Sequence, residues 1–166
     1  SQTLIEGPMK LSLRRPATNN EMGAKLSKEL AVWRTAEDRM TLLKFRSNHL
    51  SADGKSLLKI DAEYAIPARG SKARFSYEVR PDGSILVSAS VSPAAGLPPL
   101  QKVGMQFRVP AGLDEREWFG EGPCETYPDR REGAWEAVFK AKISEAFFPY
   151  IEPQESSNAV DVRYAK

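Results

Sequence analysis

Two carboxylates four residues apart, Glu125 and Asp129, are the residues of this chain whose type and spacing most suggest chemistry. They lie in the stretch WFGEGPCETYPDR, from Trp118 to Arg130. Paired carboxylates are the equipment of glycoside hydrolysis, one as acid or base and the other as base or nucleophile. The same residues have a plainer use. Glu125, Asp129, Arg130 and Arg131 place both signs of charge within a few positions, and such a segment can fix a loop against a neighbour through an ion pair. Charged loop residues more often serve that structural end. Gly120-x-Gly122-Pro123 argues against a phosphate cradle, since it has no P-loop lysine and runs into proline. Its glycines permit a sharp exit from an apolar strand, and Pro123 fixes φ while removing a ladder donor. Tyr127, preceding Pro128, is pushed toward an extended backbone. Trp118, Tyr127, Trp135 and Tyr150 offer faces on which a sugar could stack, although aromatics at sheet spacing more often belong to a core.

Other chemistry is sparse. The single histidine, His49, lies in LLKFRSNHL with no nucleophile motif beside it, so Ser-His-Asp catalysis and multi-histidine metal sites have little to build on. Cys124 is the single cysteine, which leaves no internal disulfide and no cysteine-based zinc site. A net charge of +2 from well-mixed Lys, Arg, Asp and Glu gives no basic stripe for nucleic acid. No apolar window approaches the roughly 18 residues of a membrane span. The opening SQTLIEGPMK shows no cationic, apolar leader, so compartment stays open between cytoplasm and periplasm. With 166 residues, 41% hydrophobic and 28% charged, the chain reads as one globular domain over residues 1–166.

The elements that must position these residues are mostly strands. MTLLKFRSNHL, SLLKIDAEYAI, ARFSYEVR, SILVSASVS, KVGMQFRVP and REWFG are apolar-rich runs between turn residues, followed by AWEAVFKAKIS and AVDVRYAK. Asp53-Gly54 and Asp82-Gly83 supply the positive φ of tight hairpins. Leu26 to Asp38 is the one helix candidate: Leu26, Leu30, Trp33 and Ala36 form an apolar stripe, with Ser27 as N-cap and Glu29 in the first turn. Pro93 to Pro99 reads as a connection. The expected fold class is all-β, an antiparallel β-sandwich with one short helix near the N-terminus.

Three motifs in order carry a resemblance. Gly120-x-Gly122-Pro123-x-Glu125-x-Tyr127-Pro128-Asp129-Arg130 resembles the Gly-Pro-x-Glu-Asn-Tyr-Pro-Asp-Arg signature of the C-terminal small-chain domain of family-two glycoside hydrolases that are beta-galactosidases. RRPATNNEMG, Arg14 to Gly23, is similar to that domain's Arg-x-Pro-x-Asp-Asn-Asp-x-Gly, and PYIEPQESSNAVDVR, Pro149 to Arg163, to its Pro-Tyr-x-x-Pro-x-Glu-Asn-Gly…Arg. Thr126 stands in place of Asn, Asn19 and Glu21 in place of two aspartates, and Ser156 and Ser157 in place of Asn-Gly.

The resemblance implies a galactose-mutarotase-like sandwich, incomplete at both ends. It also implies that hydrolysis of terminal beta-galactosides, by a retaining two-glutamate mechanism, belongs to a separate barrel. No catalytic residue is then expected here, and no cofactor; the Mg and Na often used by such enzymes would sit with the barrel. Arg15, Asn20, Glu125, Tyr127, Asp129, Arg130, Glu155 and Arg163 match motif positions and are expected to organise loops and domain contacts, with Trp118 and Tyr127 as stacking candidates. The expected partners are the remaining domains of the parent enzyme, with galactoside met only indirectly and self-association through exposed edges. A stand-alone carbohydrate-binding sandwich is the rival reading; an epimerase on this fold would need two histidines.

Overall fold

The computed structural model describes residues 4–26, 28–52, 55–152 and 154–166. Among the described residues, nine strands make three antiparallel sheets: β1 (Lys10–Ser12) with β6 (Gly104–Gln106); the meander β2 (Thr41–Ala52), β3 (Lys55–Ala65), β4 (Lys72–Val79), β5 (Ile85–Ser92); and β7 (Glu115–Gly122) between β8 (Trp135–Lys142) and β9 (Tyr164–Ala165). The fold class is all-β and antiparallel, in keeping with a sandwich. Two compact units divide the chain: one formed by residues 1–7, 16–26 and 108–166, the other by residues 8–15 and 27–107.

The second unit holds the meander. Its strands alternate so that Tyr64, Ala73, Phe75, Tyr77 and Val91 point to one face and Glu63, Lys72, Arg74 and Ser90 to the other. The apolar face joins Leu11, Leu13, Trp33, Ala36, Ile66 and Ala68 in one core. Within it Phe75 lies edge-on to Tyr64 at 5.5 Å and stacked with Tyr77 at 6.5 Å. On the opposite face Glu63 accepts hydrogen bonds from Lys72 and Arg74, both at 3.2 Å. The β4–β5 turn uses Gly83 at φ 84°, and the Asp82 carboxylate accepts the Ser84 N–H at 2.9 Å. The Asp53-Gly54 turn and Ser27 lie outside the described residues.

Two expectations change. The segment from Leu26 to Asp38 is not one α-helix; it makes two 3-10 turns, Leu30–Trp33 and Glu37–Arg39. Trp33 and Ala36 are nevertheless buried, and the indole N–H of Trp33 donates to the Pro98 carbonyl at 3.1 Å. The helix near the N-terminus is instead α1 (Asn19–Gly23), started by a reciprocal capping box between Thr18 and Glu21. The runs KVGMQFRVP and AVDVRYAK contribute strands of only three and two residues, β6 and β9.

Candidate functional site

The first unit carries the signature segment, and β7 aims it. Along one face of β7 stand Arg116, Trp118, Gly120 and Gly122, opposite Ala141, Phe139, Ala137 and Trp135 of β8. Both glycines are demanded by close approach. A Cβ on Gly120 would come within 2.9 Å of the Val162 Cα, and one on Gly122 within 2.8 Å of the Phe139 ring. Trp118 is 3% exposed, packs on Phe139 with ring centroids 5.3 Å apart, and donates its indole N–H to the Glu121 carbonyl at 3.1 Å. The Gly122-Pro123 peptide is cis and leads the chain off the strand.

Beyond it, each signature residue has a defined place. The side chain of Glu125 is only 8% exposed. It accepts a hydrogen bond from the Tyr150 hydroxyl and faces the Arg130 guanidinium at 3.9 Å. Arg130 in turn lies over the Tyr150 ring, 5.9 Å from its centroid. These three groups close a triangle of phenol, carboxylate and cation. Tyr127 is buried at 5% exposure and precedes the 3-10 turn Pro128–Gly133, in which Pro128 takes the first position; the Arg130 N–H donates to the Tyr127 carbonyl at 2.8 Å. Asp129 is exposed in the first turn.

The neighbouring C-terminal segment is pinned through Thr126. This residue is fully buried; its N–H donates to the Asn158 carbonyl at 2.8 Å and its Oγ1 accepts the Val160 N–H at 2.9 Å. Glu155 accepts from the Asn158 side-chain amide at 3.2 Å, which ties that motif residue into the same clasp. Arg131 forks onto Glu121 and also meets Asp161. The hydrogen bond and charge of Glu121, with the charge of Asp161, hold its guanidinium above its ordinary value. Arg163 donates its backbone N–H to the Phe119 carbonyl at 2.8 Å and stands 3.7 Å from the Glu136 carboxylate.

Gly122, Cys124, Glu125, Asp129, Arg130 and Glu132 line a recess of about 300 Å³. The two carboxylates named from the sequence therefore share a wall, but Glu125 is already engaged by Tyr150 and Arg130. Neither Trp118 nor Tyr127 presents a ring to solvent. Of the other motif residues, Asn20 is exposed in α1, its carbonyl accepting the Ala24 N–H at 2.9 Å, and Arg15 is half-buried. Tyr150, Thr126, Asn158 and Asp161 carry the clasp without having been singled out for it, beside Arg131, which was named as a loop-fixing charge. Thr126, Tyr150, Asn158 and Asp161 had a signal as members of the quoted motifs, and Arg131 as one of the mixed charges that follow Glu125.

The family description "Beta galactosidase small chain" matches residues 1–166. A beta-galactosidase of Priestia megaterium is 31% identical over 151 residues, 91% of this chain and 14% of that protein. Those of Halalkalibacterium halodurans and Streptococcus thermophilus are 30% and 29% identical, covering 98% and 96% of this chain but 16% and 15% of their own lengths. The chain thus spans about a sixth or less of the relatives it matches. With the match running from end to end, the chain belongs to the beta-galactosidase small-chain family.

Proposed function

We propose that this chain is a non-catalytic accessory domain of a beta-galactosidase, supplying shape and domain contacts while the bond-breaking carboxylates belong to another part of the enzyme. The observation that carries this reading is the state of Glu125: the acid at the centre of the family signature is buried and spent on Tyr150 and Arg130. A catalytic carboxylate must reach its substrate. The relatives' printed name, Beta-galactosidase, supports the parent activity, and the motif resemblance implies hydrolysis of terminal beta-galactosides by two glutamates of a separate barrel.

The remaining domains of the parent enzyme are the proposed partners. A second copy is a further one, through the edge strand β2, where Leu42, Leu43, Phe45 and Leu50 are exposed along the unpaired rim of the meander. Light scattering checks this second partner: a mass that rises with concentration supports it, and a strict monomer at high concentration removes it.

Calorimetric titration of the folded chain with galactose and lactose tests the main reading against a binding module. An accessory domain gives weak heats or none. Saturable binding in the micromolar range would make the chain a carbohydrate-binding module instead.

A further inference from the structure

Strand β5 ends the four-stranded sheet: it is hydrogen-bonded to β4 and to no other strand among the described residues. Alternate residues of such an edge strand turn their N–H and C=O groups away from the paired neighbour. No described residue pairs with that outer side of β5. Ser88, Ala89 and Ser90 are exposed at its middle, and Ile85 and Leu86 are 49% and 47% exposed at its start.

Folded proteins guard an edge by keeping it short, or with charged side chains, proline or a bulge. β5 has none of these. Its eight residues, ILVSASVS, contain no charge and no proline. Its register with β4 runs unbroken from Ile85 opposite Val79 to Ser92 opposite Lys72. The outer strand of the three-stranded sheet, β8, shows the contrast, with Glu136, Lys140 and Lys142 along its eight residues.

We propose that the outer edge of β5 takes one added β-strand, an uncharged extended segment supplied by the part of the parent enzyme outside the matched region. This rests on the accessory-domain reading. The match covers 14%, 16% and 15% of the three relatives named above, which leaves most of each chain to supply such a strand. The side chains of β5 set its chemistry. Val87, Ala89 and Val91 continue the apolar face of Tyr77, Phe75 and Ala73, while Ser88, Ser90 and Ser92 share the face of Arg74 and Lys72. A strand laid beside them alternates apolar residues on the first face with small polar residues on the second. Main-chain hydrogen bonds to the open edge give the affinity, and this alternation gives the selectivity.

The test is a titration of the 15N-labelled 166-residue chain with a synthetic peptide of alternating valine and serine, as long as β5. The control is the same peptide with every amide nitrogen methylated, which keeps the side chains and removes the donors. Amide signals of residues 85–92 are expected to move saturably with the first peptide and not with the control. Hydrogen exchange within β5 should slow by about tenfold or more. Ser88→Lys places a charge on the exposed middle of the edge and should weaken the midpoint several-fold. Should that variant fail to fold, Ser90→Glu, opposite Arg74, carries the same test. No saturable movement, equal movement with the methylated peptide, or an unchanged midpoint in the charged variant would overturn the assignment. Movement of the β5 signals on concentrating the chain alone would put a second copy on this edge, and would equally overturn it. Neither outcome alters the sugar titration or the hydrolysis assay, so failure here is distinct from failure of the accessory-domain reading.

Discussion

The hydroxyl of Tyr150 donates its hydrogen bond to the carboxylate of Glu125, joining two signature motifs 25 residues apart. Because the Glu125 side chain is only 8% exposed, removing its donor leaves a desolvated oxygen short of a partner. Tyr150→Phe should therefore cost about 1–3 kcal/mol of stability, read as a lowered urea midpoint with an unchanged m-value. A midpoint equal to that of the parent chain would mean the pair holds nothing together.

Ser157 sits in the left-handed region at φ 66°, where the motif that its segment resembles has glycine. A Cβ is unfavourable there, so Ser157→Gly should raise stability by about 0.5–1 kcal/mol. Asp161, at φ 53°, is the control. Its carboxylate meets Arg131, so Asp161→Gly gives up an ion pair as it relieves the backbone and should show a smaller gain or a loss. Thermal unfolding of both variants distinguishes them. A loss of stability on Ser157→Gly would contradict the assignment.

Glu63 offers a pH test. The hydrogen bond from Lys72, reinforced by the charges of Lys72, Arg74 and Lys44 and opposed by partial burial, holds its carboxyl below the usual range. A depressed folded-state value means the stabilisation is complete above the unfolded value, about 4.3 for Glu, and is lost as pH falls through the lower folded value. The difference in unfolding free energy between the parent chain and Glu63→Gln should be constant above about pH 5.5 and shrink on acidification. A difference that stays flat to pH 3, or widens, would contradict this.

Particular residues show what the sequence could and could not disclose. The meander was legible because Tyr64, Phe75 and Tyr77 alternate with charged neighbours and Asp82-Gly83 announces its turn. The stripe of Leu30, Trp33 and Ala36 was legible as buried but not in its helix type: a spacing of three suits the three residues per turn of a 3-10 helix, and it was read as α. Strand β1 is too short to announce itself. The clasp was hidden for another reason. Thr126 meets Asn158 and Val160, and Glu125 meets Tyr150, across separations that only the folded chain closes. Arg116 carries no motif at all; its buried Nε has no hydrogen-bond partner among the described residues, which a sequence does not record.

The most direct measurement of the central claim is hydrolysis of a chromogenic beta-galactoside by the purified 166-residue chain, with its cooperative unfolding recorded alongside. The account predicts a folded protein whose turnover equals the buffer blank. Hydrolysis that scales with protein and falls when Glu125 or Asp129 is replaced by its amide would place the chemistry in this domain and contradict the account.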